Sequence, residues 1–524
     1  MSSKVRWRRN GYSQPNTCHL SQNEPLTNPL EASEPSEAVT TDTGMIMTDR
    51  QIIVSQALIG PDYEPTGPVK LRIEAGHVRE IRPVSQEDTV PRLLAIPALV
   101  DGHNHARPLS PTSFGGGMKP LESWLPSLAG IPSVDPYLAA AASFGRSARG
   151  GCVGVMVHLI RPMGREPLTK EVHHYARAAS DAGLSIGFAV AMRDRNPIVY
   201  GSHSAIAAKL ADRFRIDDIW RAETMSPEDQ VQRVADVAAE MQSHSHVDVQ
   251  FGPNGVQWCS DRLLQAIANA SAETGRRVHM HFLETREQRK WADRTYPGGI
   301  VERLREIGLL SPRLTLAHCV WARPMELAVL AQHGVTVAVN PSSNLHLRSG
   351  IAGVGRMKAS GLRFGLGLDG CAFDEDDDAL RELRLFRLLN AGIAFDEQIT
   401  PADALAAACA TGREIIGLGT GGRIEVGMPA DLLLLDLDRL DKDRVTDVDP
   451  RHYLFARATQ EHIIEVINGG RTIVRDGQVV GFNLDAAENT LRQQYRVAMS
   501  STRHVREAFS ALEPLIGEHY RGCC

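Results

Sequence analysis

The chain has 524 residues, 43% of them hydrophobic, with eight cysteines and a net charge of −6. That length can bury more than one minimal domain, and the mild acidity offers no broad basic field to nucleic acid or to an anionic membrane, so small molecules are the expected partners. No stretch approaches 18 uninterrupted apolar residues, which argues against a helical membrane span. The cysteines contain no CxxC pair, which argues against a disulfide framework or a zinc ribbon and for a reducing, cytoplasmic setting.

Residues 1–44 are rich in Ser, Asn, Pro, Thr and Glu and predict a disordered tail, its basic tip followed by no apolar run of signal-peptide type. Beyond it, "QIIVSQALIG", "VKLRIEAGHVREIRPV" and "RLLAIPALV" have the β-branched, turn-punctuated character of short antiparallel strands. Similar text, "GRIEVGMPADLLLLDL" and "HIIEVINGGRTIVRDGQVV", returns near the far end. Residues 45–94 and 421–485 are therefore expected to pair as one small β-sandwich domain, with residues 486–524 as a C-terminal helical segment. The neighbouring Cys523 and Cys524 carry no role in this reading.

Between the flanks, residues 95–420 carry eight short apolar runs separated by helix-like text: "LLAIPALVDGHNH", "GCVGVMVH", "LSIGFAVAM", "VDVQFGP", "RVHMHF", "LTLAHC", "TVAVNP" and "RFGLGLD". Continuously apolar strands alternating with helices imply a parallel sheet covered on both faces. The stretch from Ala95 to Asp369 has the length of a typical (β/α)8 TIM barrel, about 250 residues. The fold class is thus α/β, a barrel with a small β-sandwich domain built from both flanking segments.

In such barrels the chemistry sits where strands end and loops begin. The first run ends in His103 and His105, the fifth in His279 and His281, the sixth in His318 and the eighth in Asp369. Histidines two apart on an extended chain project to one side, so His103 and His105 can reach one cation. That pattern is weak alone and gains force from the other strand ends. Three histidines and a carboxylate suit catalytic zinc or iron and leave a position open for water. The fourth run offers no lysine to bridge two ions, so one divalent ion is expected, zinc with iron as the alternative. In "VHMHFLET" the strand period points both His279 and His281 inward. His281 lies nearer the strand end, which makes it the predicted ligand and His279 a residue one layer deeper.

The segments "PALVDGHNH", "HMHFLET", "LAHCVW", "NPSSNLHLRSG" and "LGLDG", in this order, resemble the amidohydrolase superfamily, in particular its cytosine and guanine deaminase-like and triazine hydrolase-like branch. The resemblance runs over roughly residues 50–485. It implies that His103, His105 and His281 are metal ligands and that Asp369 approaches the metal and accepts a proton from its water. It also implies that Glu284 shuttles protons to substrate, that His318 orients substrate and water, and that the protein is a homo-oligomer. A bound cation lowers the pKa of its water from 15.7 to about 7, so hydroxide becomes available to attack an sp2 carbon.

One motif departs from the resemblance. Many relatives place a histidine directly after Gly-Pro at the fourth strand, where it contacts substrate, whereas this chain reads "FGPNGVQWCS" with Asn254. Asn254, Gln257 and Trp258 in that loop, and Arg193 in "RDRNPIVYG", are the candidate substrate-binding residues. His158 is expected to be structural, "DEDDD" (Asp374 to Asp378) to start a helix, and Ser343 and Asn344 to support Asp369 or cap a helix. The expected reaction is hydrolysis of an exocyclic C–N bond of a nitrogen heterocycle, a purine, pterin, pyrimidine or triazine. Hydrolysis of a urea, an amide or a chloro-substituted ring is the alternative, and a catalytically silent binding homologue is disfavoured by the intact residue set.

Overall fold

The structure, a computed structural model, describes residues 49–86, 88–210, 225–370 and 376–522. The expected tail, Asp374 and Cys523–Cys524 lie outside the described residues. Eight strands form one sheet in sequence order: β1 (Leu99–Asn104), β2 (Cys152–Leu159), β3 (Ser185–Met192), β4 (Val247–Pro253), β5 (Val278–Phe282), β6 (Leu314–His318), β7 (Thr336–Val339) and β8 (Arg363–Leu366). Neighbours pair in parallel throughout. Every residue of β2, β5 and β6 is buried, as a sheet covered on both faces requires. The intervening helices start at the polar caps their sequences supply. Asp135 accepts the Leu138 N–H at the head of Pro136–Arg149, and Ser260 does the same for Leu263 ahead of Asp261–Thr274.

The ring closes between β8 and β1 through one buried carboxylate. Asp101 Oδ1 accepts the backbone N–H of Leu368 at 2.9 Å and of His103 at 3.1 Å, and its Oδ2 accepts Asn104 Nδ2 at 2.7 Å. The Asp369 N–H then donates to the His103 carbonyl at 2.7 Å. The strand end can approach this closely because residue 367 is glycine: a Cβ there would lie 2.8 Å from the His103 Cβ.

The first apolar run divides at Ala98. Leu93–Pro97 leaves the barrel and joins a seven-stranded sheet, where it pairs antiparallel with Leu432–Asp436 from the far end of the chain, Ala95 opposite Leu434. A three-stranded sheet of Arg50–Val54, Val69–Glu74 and His77–Pro83 covers it. Ile52, Val54, Leu71, Ile73, Ala95, Leu434 and Ile467 share the core of this small domain. After it, the helices Leu484–Ala498 and Arg503–Gly522 return to the barrel. Leu491 and Tyr495 pack with Val134, Leu138 and Ala142, and Leu512 and Ile516 with Ile198 and Val199. No helix among the described residues is long and apolar enough to cross a membrane.

Asp101→Ala would strand three buried donors across the β1–β8 seam. Since each unpaired buried group costs about 1–3 kcal/mol, the variant is expected to lose about 3 kcal/mol or more, measured as a lower urea midpoint; an unchanged midpoint would show that the seam closes without this carboxylate.

Candidate metal centre and active site

The strand ends bring His103, His105, His281, His318 and Asp369 to one buried point at the C-terminal mouth of the barrel. His105 Nε2 lies 2.9 Å from Asp369 Oδ1 and 3.3 Å from His281 Nε2, and His103 Nε2 lies 3.7 Å from the same Asp369 oxygen. The His318 ligand atom lies within 4.8 Å of those of His103 and His281.

Proton positions follow from the other side of each ring. A carbonyl oxygen only accepts, so His105 Nδ1 must donate to the His158 carbonyl at 2.7 Å and His281 Nδ1 to that of Asn254 at 2.8 Å. His103 Nδ1 sits 2.8 Å from His279 Nε2, which places His279 one layer deeper, directly behind a ring of the cluster. His318 Nδ1 faces Asn344 Oδ1 at 2.9 Å. Burial lowers His105 and His318, and lowers His103 and His281 well below the ordinary histidine range, so the rings are held neutral.

With their Nδ1 protons committed, the neutral rings of His105 and His281 present bare Nε2 lone pairs to each other and to a carboxylate. His103 Nε2 and His318 Nε2 have no hydrogen-bond partner. Converging acceptors in a buried site repel unless a cation lies among them. A tetrahedral zinc ion with bonds of about 2.0–2.1 Å sets its ligand atoms about 3.3 Å apart, and the separations between His105, His281, His103 and Asp369 straddle that value. The donor set therefore fits a divalent metal with nitrogen and oxygen ligands.

Two carboxyls flank the cluster with opposite protonation. Burial would raise Asp369, but the charge of the Arg107 guanidinium, foremost among the groups that lower it, holds the carboxyl well below the usual carboxylate range. Ser343 Oγ also donates to Asp369 Oδ2 at 2.5 Å, and Arg107 donates to the Asp369 carbonyl. Burial, reinforced by Asp369 and Glu122, pushes Glu284 well above the usual range, so it holds its proton. Glu284 Oε2 stands 3.8 Å from His318 Nε2. His318 and Asp369 both adopt left-handed backbone, φ 75° and 60°, a strained conformation of the kind that gathers at functional sites.

The remaining candidates divide. Asn254 and Gln257 are buried, Gln257 Nε2 has no hydrogen-bond partner, and the Asn254 side chain lies against that of His158. His158 Nε2 donates to the Gly252 carbonyl at 3.0 Å, the anchored role expected of it. The Trp258 ring packs edge-on to Tyr200 at 5.9 Å within the core. Arg193 is held by its backbone, its N–H donating to Gln230 Oε1 at 3.0 Å. Asp378 caps the helix Ala379–Asn390, accepting from Leu380 and Arg381, so this end of "DEDDD" starts a helix. Sequence reasoning missed Arg107, although it stands two residues after His105. It also missed Glu122, whose carboxyl accepts Tyr200 Oη at 3.1 Å and the Thr285 hydroxyl.

Because the folded state lowers the ligand histidines, protons compete for the lone pairs only below the ordinary histidine pKa of about 6.5. Metal retention on stepwise acidification is expected to hold through pH 6.5 and to fail only at lower pH. Release centred at or above 6.5 would mean that the rings titrate as exposed ones. His281→Ala is expected to abolish stoichiometric metal, and His279→Ala, which removes the partner behind His103, to weaken it about 10- to 100-fold; equal loss in both would contradict the layering.

Residues 94–480 match the amidohydrolase family model. The 5'-deoxyadenosine deaminase of Methanothermobacter thermautotrophicus is 29% identical over 391 residues, 74% of this chain and 83% of that one. The 5-methylthioadenosine/S-adenosylhomocysteine deaminase of Dictyoglomus thermophilum is 27% identical over 393 residues, 73% and 82% of the two chains. Among solved structures, a zinc-bound adenosine deaminase from Xanthomonas campestris superposes with a TM-score of 0.69 at 21% identity, covering 86% of this chain and 98% of that one. A zinc complex of atrazine chlorohydrolase from Arthrobacter aurescens gives 0.70 at 20% identity, covering 85% and 99%. With its (β/α)8 barrel and a family match spanning most of its length, the chain belongs to the amidohydrolase family, enzymes acting on C–N and related bonds.

Proposed function

We propose that the protein is a zinc-dependent deaminase that replaces the exocyclic amino group of a nitrogen heterocycle by oxygen, with 6-aminopurine nucleosides as the first substrates to test. Its expected setting is cytoplasmic, in keeping with the buried, unpaired Cys152, Cys259, Cys319 and Cys409. The observation that carries the reaction is the pairing of an ionised Asp369 with a protonated Glu284 across one histidine cluster, since carboxyls pushed apart in pKa take opposite roles in acid–base chemistry.

His103, His105, His281 and Asp369 would hold the ion. When bound, it supplies a water acidic enough to ionise near neutral pH. Asp369, kept as the anion by Arg107, takes a proton from the attacking water. His318, anchored at Nδ1 by Asn344 and Asn340, faces the water with Nε2 and so aims its oxygen at the ring carbon. As the C–O bond forms, Glu284 donates its proton to the adjacent ring nitrogen. The proton held by Asp369 passes to the departing amino group, the C–N bond breaks, ammonia leaves, and the new hydroxyl returns its proton to Glu284 as the carbonyl forms. Gln257, whose buried Nε2 lacks a partner, and Asn254 are the proposed groups that bind the heterocycle edge.

Glu284→Gln keeps the side-chain shape and removes the transferable proton, so it is expected to lower ammonia release from amino-heterocycles by about 10²- to 10⁴-fold with metal content unchanged. Retained activity would remove Glu284 from the reaction. Release of chloride or of a carboxylate, with no ammonia from any amino-heterocycle, would replace the deaminase reading by the hydrolysis of another bond in the same site.

A further inference from the structure

Beside His105 and Arg107 a cavity of about 80 Å³ opens between the loop after β1, the loop after β2 and the helix Leu484–Ala498. Its walls are mainly apolar: Leu109, Phe114, Ile131, Met163 and Tyr495. The helix that supplies Tyr495 lies beyond residue 480, where the family match ends.

The helix is fixed to the metal-ligand loop. Arg146 donates to Glu488 Oε1 at 3.0 Å, and the same guanidinium donates to the carbonyls of Arg107 at 2.8 Å and Pro108 at 3.1 Å. Gln494 Oε1 accepts the Asp135 N–H at 2.9 Å. Tyr495 packs edge-on to Phe114 with ring centroids 4.9 Å apart and is 3% exposed. Among the described residues its hydroxyl makes no hydrogen bond, which leaves it available to a polar atom in the cavity. The two cations on the walls are already engaged: Arg161 Nη2 donates to the Ile131 carbonyl at 2.6 Å, and Arg107 donates to Asp369.

We propose that this cavity is a specificity subsite, closed by the C-terminal helix, which takes a small, uncharged, largely apolar substituent of the substrate, with the Tyr495 hydroxyl bonding its one polar atom. The assignment rests on the deaminase reading for the identity of the ring and concerns a different part of the molecule. Apolar side chains make most of the wall, and the volume admits a group of a few heavy atoms.

Binding separates the two ideas, because it is read without turnover. In zinc-loaded, full-length Glu284→Gln protein, dissociation constants would be measured for adenine, 5'-deoxyadenosine, 5-methylthioadenosine and adenosine 5'-monophosphate. The nucleosides with apolar ends are expected to bind more tightly than the phosphate. Adding Tyr495→Ala should weaken 5-methylthioadenosine by about 10-fold or more, as for loss of an apolar pocket contact, and change adenine by less than about twofold, a pattern that general loss of structure would not give. Tyr495→Phe, which keeps the wall, should weaken it by about 3- to 10-fold, the value of one hydrogen bond. Failure to bind any of the four, equal binding of the phosphate, or an order unchanged in both Tyr495 variants would overturn the subsite, whereas the deaminase reading stands or falls separately on ammonia release by the wild-type protein.

Discussion

The site depends on where a few histidine protons go. Backbone carbonyls of His158 and Asn254 claim the Nδ1 protons of His105 and His281, and that choice turns a bare His105 Nε2 toward Asp369 and a bare His281 Nε2 toward His105. Nothing inside the cluster can pair those lone pairs with one another, so the arrangement is favourable only around a cation. The surrounding fold supplies the carbonyls. His158 lies at the end of β2 and Asn254 follows β4, so each ring is oriented by the neighbouring strand end, a role backbone groups commonly play behind metal-bound histidines.

Barrel closure and ligand placement are coupled. Asp101 ties the ends of β1 and β8 together, and the same backbone then carries His103 and Asp369 into contact. The left-handed backbone of His318 and Asp369 is strain the packed barrel tolerates. Around Asp369 the protein adds a cation, Arg107, and a hydroxyl, Ser343, while around Glu284 it adds burial and a second carboxyl, Glu122. The same cluster thus keeps one carboxyl charged and the other neutral within a few ångströms.

Much of this is legible in the sequence, for physical reasons. Parallel strands buried on both faces leave continuous apolar runs, and barrel topology puts the polar residues that end them at one mouth, so the order of the runs is enough to group His103, His105, His281, His318 and Asp369. The depth of His279 follows from its position two residues before His281 on the strand. The break at Ala98 is not legible, because Leu93–Pro97 and Leu99–Asn104 are equally apolar and only pairing with Leu432–Asp436 separates them. Arg107 and Glu122 escape notice because an arginine or glutamate in loop text reads as solvated until tertiary contacts bury it. The placement of Tyr495 is equally hidden, since an amphipathic helix announces that it packs and not where.

The most direct measurement is X-ray absorption at the zinc edge of the zinc-loaded protein. A single first shell of nitrogen and oxygen at about 2.0–2.1 Å, with the multiple scattering of three imidazoles, is the predicted result. A sulfur shell near 2.3 Å, or a hydrated ion without imidazole scattering, would contradict the convergence of His103, His105, His281 and Asp369 on one metal.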